Sequence, residues 1–255
     1  MNKSCKDLLL PLKMEKVFET PLTKETYMGL LARAKHFQVR MAQARGYAVL
    51  PDQEPFLQPP QASAERLLAL KDDDARMQAL ASTLPEGDGR PAVRVVFFVK
   101  GATLKVSDVV SQAKAHHVWV VRSSPTALAE KKRVDELVER GYKVEDFPMV
   151  QLMLDPTQTF LQPTYMRLSE EDRKAFYARL RIDPSSMPIM YTSDPVARWY
   201  GWQPGDLVRC QRPGVVSLAA PSSVFYRRVA KGKAPSKVAG SDSLALYSRA
   251  PADAS

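Results

Sequence analysis

The stretch that decides the fold runs from residue 93 to residue 146: VRVVFFV at 93–99, SDVVSQAKAHH at 107–117, VWVV at 118–121, SSPTALAEKKRVDELVERG at 123–141 and YKVED at 142–146. Runs of β-branched and aromatic residues alternate there with segments of helical spacing. Ser107 and Ser124 are placed to cap the two helices, Pro125 takes the first position of the second, and Gly141 ends it. The order strand–helix–strand–helix–strand predicts an α/β unit with parallel pairing and right-handed crossovers.

Helical sequence also precedes this stretch. Thr23 is placed to cap a helix that ends at Gly46, and YAVL at 47–50 is predicted as a short strand. Ser63 is predicted to cap a second helix, AERLLALKDDDARMQALAST at 64–83, which Pro85 follows. Residues 1–22 show no clear period and are predicted as an arm, so the first domain is predicted to span residues 23–147.

The character of the sequence changes near residue 148, where prolines interrupt the apolar runs. Ser169 is placed to cap a helix, EEDRKAFYARL at 170–180, with acidic residues in its first turn. A brief helix is predicted at DPVARWY (194–200), followed by strands at DLVRCQ (206–211) and VFYRRV (224–229). Residues 148–229 are therefore predicted as a small α+β domain, and residues 230–255 as a disordered tail.

Charge and cysteine content exclude several classes of protein. The chain has 255 residues, with 37 Lys+Arg against 28 Asp+Glu, and its formal charge of +9 fits either polyanionic partners or a solvated surface of mixed charge. No apolar run approaches the ~20 residues of a membrane helix, and the N-terminus lacks the apolar core of a secretory signal. Cys5 and Cys210 form no CxxC pair, which indicates a reducing compartment.

The sequence offers little material for catalysis. None of the three histidines, His36, His116 and His117, lies in a glycine-flanked elbow, and neither a GxGxxG nor a Walker phosphate loop occurs. The three aspartates of KDDDAR (71–76) are consecutive, so on a helix they point 100° apart and predict a solvated face. We expect no catalytic residues, no metal, no cofactor and no small-molecule substrate.

SDPVARWYGWQPGDLVRCQR at 193–212 is the stretch richest in recognition chemistry. Asp194 can cap a short helix with Pro195 at its first position, and Gly201 can end it. Val196, Trp199 and Tyr200 form one apolar side, while Arg198 and Arg209 are placed to reach carboxylates or carbonyls of a partner. A well-capped helix, turn and strand with surface arginines would fit the same periodicity.

This stretch, at 194–209, resembles the shared fifth-largest subunit of eukaryotic nuclear DNA-directed RNA polymerases, whose C-terminal domain is similar to a small subunit of archaeal polymerases. The runs LSEE at 168–171 and Tyr226-Arg227 are similar to the helix start and the closing strand of that family. In the first domain, Arg45-Gly46-Tyr47 and SPTA at 124–127 resemble further family motifs.

The resemblance implies a non-catalytic polymerase subunit in the nucleus, or in the nucleolus if it is dedicated to the ribosomal RNA polymerase. Its fold would be an α/β N-terminal jaw domain beside downstream duplex DNA, plus a small α+β C-terminal assembly domain on the largest subunit. The residues implied near DNA are Ser124, Pro125, Thr126 and Lys131. An interface anchored by Trp199, Tyr200 and Trp202 is expected, and the docking residues implied are Asp194, Pro195, Val196, Arg198, Trp199, Tyr200, Gly201, Trp202, Gly205, Arg209, Tyr226 and Arg227.

Departures from the family pattern lie in the second domain. Two histidines usual near Leu161 are absent, Ile189 stands where the family has arginine, and PGVVSLAAPSS at 213–223 replaces a short hairpin. These changes indicate a divergent lineage or a paralogue dedicated to one polymerase class. Two other functions compete: a free-standing basic nucleic-acid-binding protein with aromatic stacking platforms, and a nuclease in which Asp108 meets the aspartates of KDDDAR.

Overall fold

The computed structural model describes residues 23–87, 89–113, 115–123, 128–158, 162–212 and 223–232, and the chain divides into two compact units, Met1–Leu154 and Asp155–Ser255. The described helices are α1 (Lys24–Ala44), α2 (Pro60–Ala69), α3 (Asp73–Leu80), α4 (Val106–Ser111), α5 (Leu128–Glu139), α6 (Glu170–Leu180) and α7 (Pro195–Tyr200). The described strands are β1 (Ser82–Leu84), β2 (Val93–Phe97), β3 (His117–Arg122), β4 (Lys143–Pro148), β5 (Thr164–Arg167), β6 (Ile189–Tyr191), β7 (Leu207–Arg212) and β8 (Ser223–Ala230). The prediction of a mixed α/β chain is confirmed.

The first unit is built on a four-stranded sheet of order β1-β2-β3-β4. The β2–β3 and β3–β4 pairs are parallel, as the alternation of strands and helices predicts, and β1 joins antiparallel. All six residues of β3 are buried, because helices cover a parallel sheet on both faces. Trp119, at the centre of β3, is fully buried.

The longest helix, α1, begins and ends as predicted. The Thr23 hydroxyl accepts a hydrogen bond from the Thr26 amide at 3.3 Å. Gly46 follows the helix with φ of +82°, and a Cβ there would come within 2.8 Å of the Arg90 guanidinium. Glycine meets both conditions because it has no side chain.

Three local predictions for residues 47–83 are wrong. Residues 47–50 form no strand, and the predicted helix at 64–83 is two helices, α2 and α3, followed by β1. The break arises because the Asp72 carboxylate caps α3 by accepting from the Ala75 amide at 2.6 Å. Ser63 lies inside α2, where its buried hydroxyl donates to the Pro55 carbonyl at 3.2 Å, and therefore caps nothing.

The predicted cap of α4 is also wrong. Ser107 is the second residue of α4, and Lys105 precedes the helix without a side-chain cap. The neighbouring loop is held from elsewhere in the unit: the Asp74 carboxylate accepts from the backbone amides of Thr103 at 2.6 Å and Leu104 at 3.0 Å. The predicted cap of α5, Ser124, lies outside the described residues.

The second unit has a four-stranded sheet of order β5-β7-β8-β6, with helices on both faces. On the face that we call the α7 face, Val196 of α7 packs in one cluster with Val208 and Val229. On the opposite face, the α6 face, Phe176 of α6 packs against Leu207. The predicted cap of α6 is confirmed, since the Ser169 hydroxyl accepts from the Asp172 amide at 3.1 Å.

Among the residues that the structure describes, no helix is both long enough and apolar enough to cross a bilayer.

Candidate functional site

The segment from Asp194 to Asp206 folds as a capped helix followed by a tight turn. The Asp194 carboxylate accepts from the Val196 amide at 2.9 Å and the Ala197 amide at 3.4 Å, which satisfies two free donors at the helix start. Gly201 ends the helix in the left-handed conformation, with φ of +67°. The Asp206 carboxylate then closes the turn by accepting from the Gln203 amide at 2.8 Å. The predicted caps are therefore present.

The aromatic side chains of this segment pack into the second unit. The side chains of Trp199 and Trp202 are only 4% and 8% exposed. The half-buried Tyr200 ring stacks on Trp202 with centroids 4.9 Å apart, and Tyr165 lies 6.1 Å from the same ring. Replacing Trp202 by a smaller residue would therefore disturb the fold itself, so it tests folding and not docking alone.

The register of the sheet separates the predicted docking residues onto its two faces. Successive side chains of a strand point to opposite faces, so Arg209 and Cys210 diverge, as do Tyr226 and Arg227. Arg209 pairs with Tyr226, and both lie on the α6 face. Arg227 lies on the α7 face, with its guanidinium 5.5 Å from the centre of the Phe225 ring. The remaining predicted docking residues, 194–205, belong to α7 and its turn.

Cys210 is a buried residue of the α7 face. Burial raises the pKa of its thiol to about 11, so the thiol stays protonated near neutral pH. Because the thiolate is the reactive form, this side chain is a packing residue and not a nucleophile.

The aspartates of residues 72–74 are exposed or half-buried, in line with the predicted solvated face, and they also hold the local fold. Asp72 caps α3, Asp73 lies 2.5 Å from Arg76, and Asp74 accepts from the loop at Thr103 and Leu104. Within the part of the chain that the structure describes, no group of three or more His, Cys, Asp or Glu side chains could hold a metal ion. The described residues therefore give the nuclease hypothesis no metal-binding group of that size.

The motif Arg45-Gly46-Tyr47 joins the end of α1 to the sheet of the first unit. Arg45 lies 2.9 Å from Glu145 of β4, and its guanidinium carbon lies 4.4 Å from the ring centre of Trp119. The Tyr47 ring meets Trp119 edge-on at 5.7 Å. These contacts assign the motif a structural role.

Within that cluster, the carboxylate of Glu145 contacts both Arg45 and His117. Burial by itself would raise the pKa of its carboxyl, but the contact with His117 at 2.9 Å and the charge of Arg45 lower it to about 2. The carboxylate therefore stays ionised at neutral pH. His36 also has a structural contact, since its Nδ1 lies 2.8 Å from the Phe56 carbonyl oxygen.

The residues predicted to lie near DNA precede α5 in the sequence or belong to its first turn, as Lys131 does. Ser124, Pro125 and Thr126 lie outside the described residues. Lys131 is described, and its side chain is exposed on α5.

Comparison with known proteins assigns the class of this chain. Residues 154–229 match the family model described as RNA polymerase Rpb5, C-terminal domain. The chain is 33% identical over 81 residues to the DNA-directed RNA polymerase subunit Rpo5 of Sulfurisphaera tokodaii, covering 93% of that protein and 32% of this chain. This fold and these matches define a subunit of a multisubunit RNA polymerase. The chain belongs to the Rpb5 family.

Eukaryotic relatives extend the match into the first unit. The chain is 26% identical over 213 residues to the DNA-directed RNA polymerases I, II, and III subunit RPABC1 of Caenorhabditis briggsae, which covers 80% of this chain and 97% of that protein. It is 28% identical over 124 residues to the subunit of the same name in Dictyostelium discoideum, covering 48% of this chain and 61% of that protein. The chain thus spans less than two thirds of the Dictyostelium relative.

Proposed function

We propose that this chain is a non-catalytic subunit of a nuclear DNA-directed RNA polymerase, held on the largest subunit by its second unit. The observation that carries this proposal is the match to the archaeal subunit. A stretch of 81 residues of this chain covers 93% of that protein, and the family match at 154–229 lies almost wholly within the second unit. A fold of this size thus serves as a complete subunit in an archaeal polymerase, which supports its role as the assembly domain here.

The docking residues are those of α7, its turn and the two central strands. Of these, Pro195 is exposed, Arg198 and Tyr200 are half-buried, and Trp202 is buried. The buried members shape the turn, so the exposed and half-buried members are the ones that contact the partner. Arginine suits this position because its planar guanidinium can bind a carboxylate through two parallel hydrogen bonds.

Affinity purification of the tagged full-length chain from its own cells tests the assembly role. The wild-type chain is expected to recover the two largest polymerase subunits, and Arg198→Gln to recover at least about tenfold less of them, about 1.4 kcal/mol of docking free energy. Arg179→Gln, an exposed arginine of α6, is the matched control and should behave as wild type.

Two results would contradict this proposal in different ways. Full recovery of the two largest subunits with Arg198→Gln would show that α7 does not belong to the interface. Recovery of the wild-type chain without any polymerase subunit would reject the polymerase role, and tight binding of nucleic acid by that isolated chain would favour the free-standing nucleic-acid-binding protein.

The first unit is proposed as the jaw domain, which contacts downstream duplex DNA without reading its sequence. The support is positional and electrostatic: Lys131, Lys132 and Arg133 are all exposed near the start of α5, and Lys131 follows Thr126 by five positions in the sequence. Basic side chains at such a position bind phosphates and release counterions, so the contact should weaken steeply as salt increases.

Crosslinking of downstream DNA to the assembled polymerase tests this contact. Lys131→Glu is expected to lower the crosslink yield by about threefold or more and to reduce its salt dependence, because one phosphate contact is lost. Lys143→Glu is the matched control, since Lys143 is exposed at the amino end of the parallel strands and α5 starts at their carboxyl end. Equal crosslinking by the Lys131 variant and the control would show that α5 does not contact the downstream DNA.

A nuclear location follows from this role. Dedication to one polymerase class is proposed from the departures at Ile189 and at residues 213–223. In that case the chain would reside with that class, in the nucleolus for the ribosomal RNA polymerase.

A further inference from the structure

A cavity, which we call the α4–α5 cavity, lies in the first unit between the start of α4 and one side of α5. Its volume is about 280 Å³, near the lower end of the roughly 300–1,000 Å³ typical of ligand pockets, so it suits a compact ligand. The buried side chains of Val106 and Leu137 form part of its lining. Four charged residues line it as well: Lys105, Arg133, Glu136 and Arg140.

The charges of the α4–α5 cavity are unbalanced and unpaired. Three cations meet one carboxylate, and none of the four charged side chains forms an ion pair or a hydrogen bond within the described part of the chain. Their spacing on α5 would allow pairs, since Glu136 lies three residues from Arg133 and four from Arg140. In α6, by contrast, such a pair is closed, with Glu170 2.6 Å from Arg173. The cations of the cavity are therefore available to an anion.

The hydroxyl groups of the lining already have partners. The Thr103 hydroxyl donates to the Asp74 carboxylate at 2.6 Å, and the Ser107 hydroxyl donates to the Asp108 carboxylate at 3.2 Å. A hydroxyl group has a single hydrogen atom, so one that already donates has none to offer an anion. Neither of these two carboxylates lines the cavity. Among the side chains, recognition of an anion therefore falls to the lysine and the two arginines.

The α4–α5 cavity lies on the side of α5 away from Lys131, the residue proposed to contact DNA. Successive residues of an α-helix are about 100° apart, so Arg133 and Arg140 lie about 200° and 180° around the helix axis from Lys131. A ligand in the cavity and a DNA phosphate at Lys131 would therefore meet opposite sides of the helix. The cavity is a site separate from the proposed DNA contact.

We propose that the α4–α5 cavity binds a compact anion with two or more linked phosphate groups, such as inorganic pyrophosphate or the polyphosphate chain of a nucleotide. Linked phosphates place several negative charges in a small volume, which matches three cations around a cavity of this size. Arginine suits them because its planar guanidinium binds phosphate oxygens through two parallel hydrogen bonds. The inference goes beyond the polymerase role and does not depend on it, since the whole lining belongs to the first unit.

Isothermal titration calorimetry of the full-length chain with inorganic pyrophosphate, at low salt and without divalent cations, provides the first test. The wild type should bind pyrophosphate, and Arg140→Gln should bind it about fivefold more weakly, because one of the three cations is lost. Lys143→Gln removes an exposed charge of the same sign outside the cavity. It is the matched control and should bind pyrophosphate as the wild type does.

Removal of the carboxylate is the sharper test, because a gain of affinity does not result from misfolding. Glu136→Gln is expected to strengthen pyrophosphate binding by about threefold, since it removes the charge that repels the ligand. Glu139→Gln, also exposed on α5 but outside the cavity, is the matched control and should leave the affinity unchanged. Equal gains in both variants would mean that net charge and not the cavity governs binding, which would reject the site.

A parallel titration with ATP separates the two sources of linked phosphates. Binding of pyrophosphate alone would assign the cavity to a free diphosphate. Binding of ATP that Arg140→Gln weakens to the same degree would assign it to the chain of a nucleotide. The proposal is overturned if the wild type binds neither compound, if Arg140→Gln binds both as the wild type does, or if duplex DNA displaces pyrophosphate through the same arginine. None of these results bears on recovery of the chain with polymerase subunits, so the proposed function stands or fails separately.

Discussion

Replacement of Trp202 by alanine is expected to lower the free energy of unfolding of the second unit by about 3–5 kcal/mol. Trp202 is 8% exposed and belongs to the cluster that joins α7 to the sheet through Val196 and Val208. Its loss would leave a cavity beneath Tyr200, which stacks on it. Urea unfolding followed by circular dichroism measures the effect.

The neighbouring residue provides a control for this prediction. Gln203 is exposed, and Gln203→Ala should change the free energy of unfolding by less than about 0.5 kcal/mol. A loss below about 1 kcal/mol at Trp202 would contradict the core role given to this side chain.

The second large effect concerns Lys35, which is buried in the first unit at 1% exposure. Its Nζ donates to Gln38 Oε1 at 2.8 Å and to Ser82 Oγ at 2.7 Å, and lies 5.6 Å from the ring centre of Phe97. Burial lowers the pKa of this amine from 10.5 to about 7, while the charge of Asp52 opposes that shift and the charge of Arg94 adds to it.

This shift predicts how stability depends on pH. Because the folded pKa lies below the unfolded value, the unfolded chain binds more protons between pH 7 and pH 10.5. The free energy of unfolding should therefore rise as the pH is raised from 7 to 10.5 and fall as the pH is lowered through the same window. This group contributes up to about 1.4 kcal/mol per pH unit. Lys35→Met is expected to remove this contribution.

Urea unfolding at several pH values between 7 and 10 checks the prediction as a difference between variant and wild type. Taking the difference cancels the titration of other lysines and tyrosines. Lys24→Met, at an exposed position of the same helix, should keep the wild-type slope. Equal slopes for Lys35→Met and wild type would show that the buried amine does not titrate in this window.

Local signals in the sequence were sufficient for most of the elements. The parallel strands follow from β-branched runs whose burial needs no alternation, and the caps at Thr23, Ser169 and Asp194 follow from side chains that satisfy free helix amides. The failures at Ser63 and Ser107 have one physical cause. Each helix begins earlier than the serine predicts, α2 at Pro60 and α4 at Val106, so Ser63 and Ser107 lie inside their helices.

The sequence predicts the buried position of Lys35, but it does not predict which groups bind its amine. It lies four residues after Leu31 on α1, so helical spacing places it on the buried stripe. Its partners come from Ser82, 47 residues away, which only the folded chain brings within reach.

The sequence by itself determined the family, the order of the parallel strands and their helices, and the set of residues that mark the second unit, because motifs and caps depend on neighbours along the chain. Only the tertiary structure decided which of those residues pack and which remain available. Arg209 and Arg227 look equivalent in a list of basic residues, yet strand register places them on opposite faces of the sheet. A shift of register by one residue would exchange those faces, so the availability of each side chain is a property of the pairing between strands.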